Sequence, residues 1–310
     1  MLSVSSKGST FWAGLSLAVI GAIGFSAKAV VVKLAYGHGV DPTTTVALRM
    51  VVALPLFLIL AWWSGRGARP LEREDWLAIA ALGFFGGYLT SVLNFVGLQY
   101  ITAGLERLIV YLTPTLVVVF EVVVFKRMLR WQQLVALGLS YAGLFVVLGP
   151  EVSLVGTNVE LGAALVFGSA VTYAIYLTYS GRVVERVGAA RLASLATGAA
   201  CLFCIAHFLL LKPVSALAVP PAVIGLSLIN GVICTFLPVV MVMMAIARIG
   251  ASSAAQCGLA GPISTITLGS IFLNEPVTPY LAAGTSLVLA GIWLLASSAM
   301  PRPPHARPKA

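Results

Sequence analysis

The 310 residues are 60% hydrophobic and only 9% charged, with 19 Lys and Arg against 10 Asp and Glu. Soluble domains carry about 25% charged side chains, so this composition excludes a water-soluble globule and makes lipid the solvent for most of the exterior. Collagen-like, disulfide-scaffold and disordered chains are excluded as well. The net charge of +9 lies in short loops, not on the basic, aromatic-interleaved face that nucleic-acid binding requires.

Apolar windows of about 20 residues are long enough, as helices, to cross a hydrocarbon layer roughly 30 Å thick. Ten are predicted, over 11–36, 43–63, 76–98, 101–122, 131–149, 160–180, 191–211, 222–246, 252–273 and 279–299. The first begins after Lys7 and passes a weakly cleavage-like Phe25-Ser26-Ala27. Lys28, Lys33 and further spans follow it, so it reads as a retained helix and not as a secretory leader. Barrel strands would alternate polar and apolar residues, whereas Leu116 to Val119 is apolar on every side.

Taking alternate loops in chain order sorts the basic residues. Lys7, Arg66, Arg69, Arg73, Lys126, Arg127, Arg130, Arg182, Arg186, Arg191, Arg248, Arg302, Arg307 and Lys309 fall on one side, and Lys212 falls on the other. Positive loops stay cytoplasmic, so both termini are expected inside a bacterial inner membrane. The proline-bearing tail, 300–310, is expected to be disordered.

Sliding the chain against itself by 148 positions superimposes five spans on five without a gap. Gly14 meets Gly162, Gly83 meets Gly231, Ile101 meets Ile249, Pro114 meets Pro262 and Ala142-Gly143 meets Ala290-Gly291. Two units follow, 11–149 and 160–299. A five-span unit is odd in number, so its copy inserts upside down. The expected fold is therefore an all-α membrane protein of ten transmembrane helices in two inverted five-helix repeats, an architecture that places a site at mid-depth between the halves.

Within the spans, ionisable groups cost about 2.5 to 3.5 kcal/mol on insertion scales and need a partner, a wet cavity or a route to the interface. Lys28 is the leading candidate for a cavity-facing charge, and Lys33, nearer the outer end, is expected to snorkel. Arg49, Glu106 and Arg107 fall in the same outer half. One reading pairs Glu106 with Arg49 or Lys28 to fix helix positions. The other uses the surplus positive charge to attract a substrate carboxylate, with Glu106 binding an ammonium or changing protonation during turnover.

Neutral polar residues add a second signature. Gly83, Gly87, Thr90, Asn94 and Gly97 share one helical face of the third span, and Tyr88, Tyr111, Tyr173 and Tyr176 supply amphipathic rings. By register Tyr176 corresponds to Lys28 and Tyr173 to Phe25. Gln256 and Pro238 are further candidates, and the matched Pro114 and Pro262 would interrupt equivalent helices. The cysteines Cys201, Cys204, Cys234 and Cys257 all lie in spans, where disulfides are not expected. Cys201, Cys204 and His207 diverge around a helix too far to be read as a metal site. No nucleotide loop, zinc-protease motif or hydrolase set is present in the sequence, so neither enzyme chemistry nor a cofactor is expected.

The run Gly97-Leu98-Gln99-Tyr100-Ile101-Thr102-Ala103-Gly104-Leu105 with Leu112-Thr113-Pro114, the Ala47-Leu48-Arg49 of the second span, and Leu273-Asn274-Glu275-Pro276-Val277-Thr278 resemble EamA-type carriers of the drug/metabolite transporter superfamily. The resemblance implies a ten-helix inner-membrane carrier, commonly an exporter of amino acids or related metabolites, with a central cavity lined by both halves. Small multidrug relatives carry an acidic residue in the first helix where this chain has Lys28, so their coupling does not transfer. The expectation is thus a secondary transporter of a small metabolite, foremost amino acids outward, with proton coupling open. Nucleotide sugars, lipid-linked sugars, cationic drugs or a non-transporting scaffold are the alternatives.

Overall fold

A computed structural model describes residues 3–125, 131–155, 158–242, 244–245 and 260–299, and among these no strand occurs. The helices are α1 (Ser3–Gly37), α2 (Pro42–Gly65), α3 (Arg73–Gly97), α4 (Ala103–Val110), α5 (Thr113–Phe125), α6 (Trp131–Val155), α7 (Val159–Val187), α8 (Ala189–Leu211), α9 (Pro221–Val242), α10 (Ala260–Leu273) and α11 (Pro279–Ala299). Six stretches are long and apolar enough to cross a membrane: Trp12–Gly37, α2, α3, Val159–Ser180, α8 and α9. Ten continuous spans are not what the described residues contain. The window 101–122 is two short helices, and the start of the window 252–273 lies outside the described residues, as do Gln256, Cys257 and the tail.

Local chemistry explains the breaks. Asp41 caps α2 by accepting from the Thr43 and Thr44 amides at 3.1 and 3.2 Å, with Pro42 at the first helical position, where its missing N–H costs nothing. Between α4 and α5 the cause is Pro114. Its nitrogen cannot donate to the Val110 carbonyl four residues back, and its ring would crowd that carbonyl in a continuous helix. The Thr113 hydroxyl donates to that same Val110 carbonyl at 2.6 Å, so the interruption leaves no orphan acceptor there.

Two π turns interrupt longer helices, Gly83–Leu89 inside α3 and Ile229–Phe236 inside α9. The 148-residue register carries Gly83 onto Gly231, so the two bulges overlap in equivalent helices. In each, a threonine hydroxyl donates to the carbonyl five residues back, Thr90 to Phe85 and Thr235 to Asn230, both at 2.7 Å.

Helix pairing follows the same register. Asp41, before α2, ion-pairs with Lys212, after α8, at 3.4 Å. At the opposite end Arg191, near the start of α8, donates to the Arg69 carbonyl beyond the end of α2 at 2.7 Å. These matched helices therefore pack antiparallel. So do α6 and α11: a Cβ at Gly143 would lie 2.5 Å from the Gly284 carbonyl oxygen, and one at Gly291 would lie 2.7 Å from the Ala136 carbonyl oxygen. Because 143 corresponds to 291 and 136 to 284, the two close approaches are the same contact generated twice, the exchange a two-fold relation produces.

Candidate functional site

Where α1, α3 and α4 meet, three side chains form a chain of polar contacts. Lys28 Nζ donates to Asn94 Oδ1 at 3.0 Å, Asn94 Nδ2 donates to Glu106 Oε1 at 2.7 Å, and Lys28 Nζ stands 3.7 Å from that oxygen. Glu106 is wholly buried and Lys28 keeps 19% of its side-chain surface. Each partner reaches the junction for a local reason. Thr102 accepts from the Leu105 amide and starts α4, which puts Glu106 in its first turn. Asn94 lies just beyond the π turn, on the face of α3 that turns inward.

Two further cations flank the pair. Arg49 of α2 donates to Ser91 at 2.8 Å and stacks 4.6 Å from the centre of the Phe95 ring, which Lys28 also approaches at 5.9 Å. Arg107, the neighbour of Glu106, stacks 5.0 Å from the Tyr111 ring. Both arginines are buried and lie within electrostatic reach of Lys28. Lys28 thus has one carboxylate and two further cations within electrostatic reach. Glu106 Oε2, Arg49 Nε, Arg107 Nε and, on α9, Asn230 Oδ1 are buried without a hydrogen-bond partner among the described residues. Buried polar atoms of this kind are rare and call for a ligand, a water or a charge that completes them.

The tyrosines divide. The Tyr111 hydroxyl abuts Gly261 of α10, near Ser26, leaving no room for a Cβ there. Tyr173 and Tyr176 stack on one another, centroids 5.6 Å apart. Tyr173 is partly exposed and within electrostatic reach of Arg107, whereas Tyr176 packs on Gly86 of the α3 π turn. Tyr88 turns to α8, its hydroxyl 2.6 Å from His207 Nδ1 among the rings of Phe84 and Phe203. Cys201 meets Met50 across the α2 and α8 contact, while His207 serves Tyr88. Pro238 follows the π turn of α9, its ring against Gly24 of α1. Pro114 and Pro262 lie in the backbones of α5 and α10.

A second charged group joins the halves where the end of α1 meets the start of α4. Glu275 accepts from the Ala103 amide, the first of α4, at 3.0 and 3.1 Å, and ion-pairs with Lys33 at 3.2 Å. Lys33 therefore does not simply snorkel. Its partner lies 242 positions along the chain, beyond the reach of any local pattern, and only the Glu-Pro resemblance marked that position. Ser91 and Phe95 were also missed. Each sits within three residues of Asn94, but neither residue type signals a site alone. At this end, outside the spans, Asp41 is held below the usual carboxylate range. Partial burial pushes its pKa up, but the Thr44 hydroxyl and amide hydrogen bonds together with Lys212 outweigh it.

The sequence profile of the EamA-like transporter family matches residues 12–149 and again residues 160–297. The chain belongs to the EamA-like transporter family. Its two family matches begin 148 residues apart and end 148 residues apart, the same interval as the repeat. The uncharacterized transporter YcbK of Bacillus subtilis is 32% identical over 279 residues, covering 85% of this chain and 86% of that protein. An uncharacterized transporter of Archaeoglobus fulgidus is 26% identical over 82% of this chain and 88% of its own. A solved crystal structure superimposes with a TM-score of 0.63 at 17% identity, covering 94% of this chain and 98% of the other, which speaks for the fold alone. This EamA-like protein is a multi-pass membrane transporter, and its relatives point to transport of a small molecule through the bilayer, not to catalysis.

Proposed function

We propose that this transporter is a secondary carrier that exports amino acids across the bacterial inner membrane by alternating access, with the junction of Lys28, Asn94 and Glu106 as its substrate site. The observation that carries the reading is the imbalance at that junction: one sealed carboxylate among three cations, with orphaned atoms on both signs of charge. A zwitterion completes this set. Its carboxylate would offset the surplus charge of Lys28, Arg49 and Arg107, and its ammonium would satisfy Glu106 Oε2. Tyr111 and Tyr173 supply apolar surface beside the charges, which suits a side chain and not a bare inorganic anion.

In this reading α4 and α5 form one broken span, so the chain makes ten crossings in two inverted units, 11–149 and 160–299, with both termini cytoplasmic. Antiparallel packing of α2 on α8 and of α6 on α11 supports the inversion. Pro114, Pro238 and Pro262 and the paired π turns supply interrupted helices at equivalent places, where carriers of this architecture gather their sites. Glu106 is the group able to exchange a proton for an ammonium, which makes proton coupling the accompanying expectation.

The test is counterflow in proteoliposomes with a panel of amino acids, with and without a pH gradient. Exchange of at least one amino acid, abolished by Lys28→Met and rendered independent of the gradient by Glu106→Gln, is the expected result. Movement of nucleotide sugars or cationic drugs alone would overturn the substrate assignment, and a fully active Lys28→Met protein would remove the site.

A further inference from the structure

At the end of the bundle opposite Asp41, an open groove of about 370 Å³ is lined by Trp62, Arg66, Trp76, Arg191 and the apolar Leu71 and Leu195. It lies where the end of α2 meets the start of α8, so one arginine comes from each half of the chain. Its charge balance differs from its surroundings. Arg69 is neutralised by Asp75 at 2.9 Å and Glu72 at 3.4 Å, and Arg186 by Asp75 at 3.3 Å and Glu74 at 3.7 Å. Those carboxylates are thereby committed. Among the described residues Arg66 and Arg191 have none within ion-pair distance. Arg66 lies flat on Trp62, 3.7 Å from the ring centre, and Arg191 is tethered by a hydrogen bond to the Arg69 carbonyl. Each guanidinium is oriented and still has donors to spare.

The walls add the second half of the chemistry. Trp62 and Trp76 are more than half exposed, as expected of indole rings seated among headgroups at a membrane boundary. Leu195 stands one helical turn deeper than Arg191, so the lining turns apolar toward the hydrocarbon. A ligand for this groove therefore has a phosphate at one end and acyl chains at the other.

We infer that this groove binds the phosphodiester headgroup of an anionic phospholipid, held between Arg66 and Arg191 and flanked by Trp62 and Trp76. Such a lipid ties the two halves of the carrier together at one end of the antiparallel α2 and α8 pair. Basic recesses between membrane helices bind acidic headgroups through the same combination of charge and interfacial position. The inference is independent of the substrate site, because no residue is shared.

The experiment is native mass spectrometry of the full-length protein titrated with phosphatidylglycerol or phosphatidylcholine. The wild type is expected to retain phosphatidylglycerol about tenfold more strongly. The double variant Arg66→Gln/Arg191→Gln should bind the two lipids alike, while Arg73→Gln, outside the groove, keeps the preference. Arg66→Lys/Arg191→Lys retains the charge and should retain most of it, which separates loss of the site from loss of the fold. Quenching of Trp62 and Trp76 by brominated phosphatidylglycerol, in a protein whose other tryptophans are Phe, places the lipid. Equal binding of both lipids by the wild type, or an undiminished preference in the Gln double variant, overturns the inference. So does displacement of the lipid by soluble glycerol phosphate at millimolar concentration, which would assign the arginines to a free phosphate ester.

Discussion

Glu106 has no surface of its own, and a buried carboxylate persists only while its charge is answered. Removing it as Glu106→Ala leaves Lys28 facing Arg49 and Arg107 with no counter-charge. Breaking a buried pair from one side costs about 3 to 5 kcal/mol, so that variant is expected to lose thermal stability in detergent, and restoring charge balance with Lys28→Met in the same chain should recover much of it. A double-mutant cycle on melting temperature checks this, and additive losses would mean that the two groups do not interact. Asp41 gives a separate, pH-dependent expectation. Its folded-state pKa is depressed, so its contribution is fully present above the unfolded carboxylate value and fades as pH falls through the folded one. Asp41→Asn should therefore cost stability at neutral pH, with the difference from wild type closing under acid, in melting curves taken between about pH 7 and pH 3. At this scale the sequence exposes what is chemically out of place. Lys28, Asn94 and Glu106 stand out because polar residues in apolar runs need partners. Which partner each finds is tertiary information, and Lys33 with Glu275 illustrates the difference.

Hydropathy reads helices well because lipid leaves the backbone no other way to satisfy its own hydrogen bonds; α2, α8 and α11 begin and end within two residues of the apolar windows. What it does not read is interruption. Pro114 flagged the break between α4 and α5, yet the repair by Thr113 depends on one hydroxyl reaching one carbonyl at 2.6 Å. Thr113→Val keeps the shape and removes that bond, leaving the Val110 carbonyl unanswered in a part-buried setting. A loss of about 1 to 3 kcal/mol is expected, read as a lower melting temperature, and Thr113→Ser should restore most of it. The π turns are less legible still. Gly83, Gly86 and Gly87 hint at a weak point in α3, and Asn230-Gly231 in α9, but a bulge is one extra residue per turn and leaves hydropathy unchanged. Their overlap under the 148-residue register argues that both descend from one ancestral helix. The crossings beside them have since diverged: Thr90 shares a hydrogen bond with Thr172 at 2.8 Å, while the corresponding Pro238 packs on Gly24 without one.

For the molecule as a whole, the charged loops sort by end. Arg69, Glu72, Glu74, Asp75, Arg186 and Arg191 interact with one another at one end, whereas Asp41 meets Lys212, and Lys33 meets Glu275, at the other. Alternation of basic and near-neutral loops along the sequence predicts this segregation, and antiparallel packing of α2 on α8 is how the fold achieves it, since the end of one helix must then meet the start of its copy. The bilayer supplies the remaining constraint, because loops rich in Lys and Arg are retained on the cytoplasmic side. In a protein whose four native cysteines are replaced by Ser or Ala, a thiol reagent that cannot cross membranes should label Arg73→Cys and Arg186→Cys only after the cytoplasmic face is opened, and Lys212→Cys in intact cells. Arg73 belongs to the first repeat, Arg186 and Lys212 to the second. Labelling of Arg73→Cys and Arg186→Cys from different sides would place the start of α3 and the end of α7 in different compartments, which the bridge of Asp75 to both Arg69 and Arg186 does not allow. Labelling of Lys212→Cys from the cytoplasm would reverse the expected orientation.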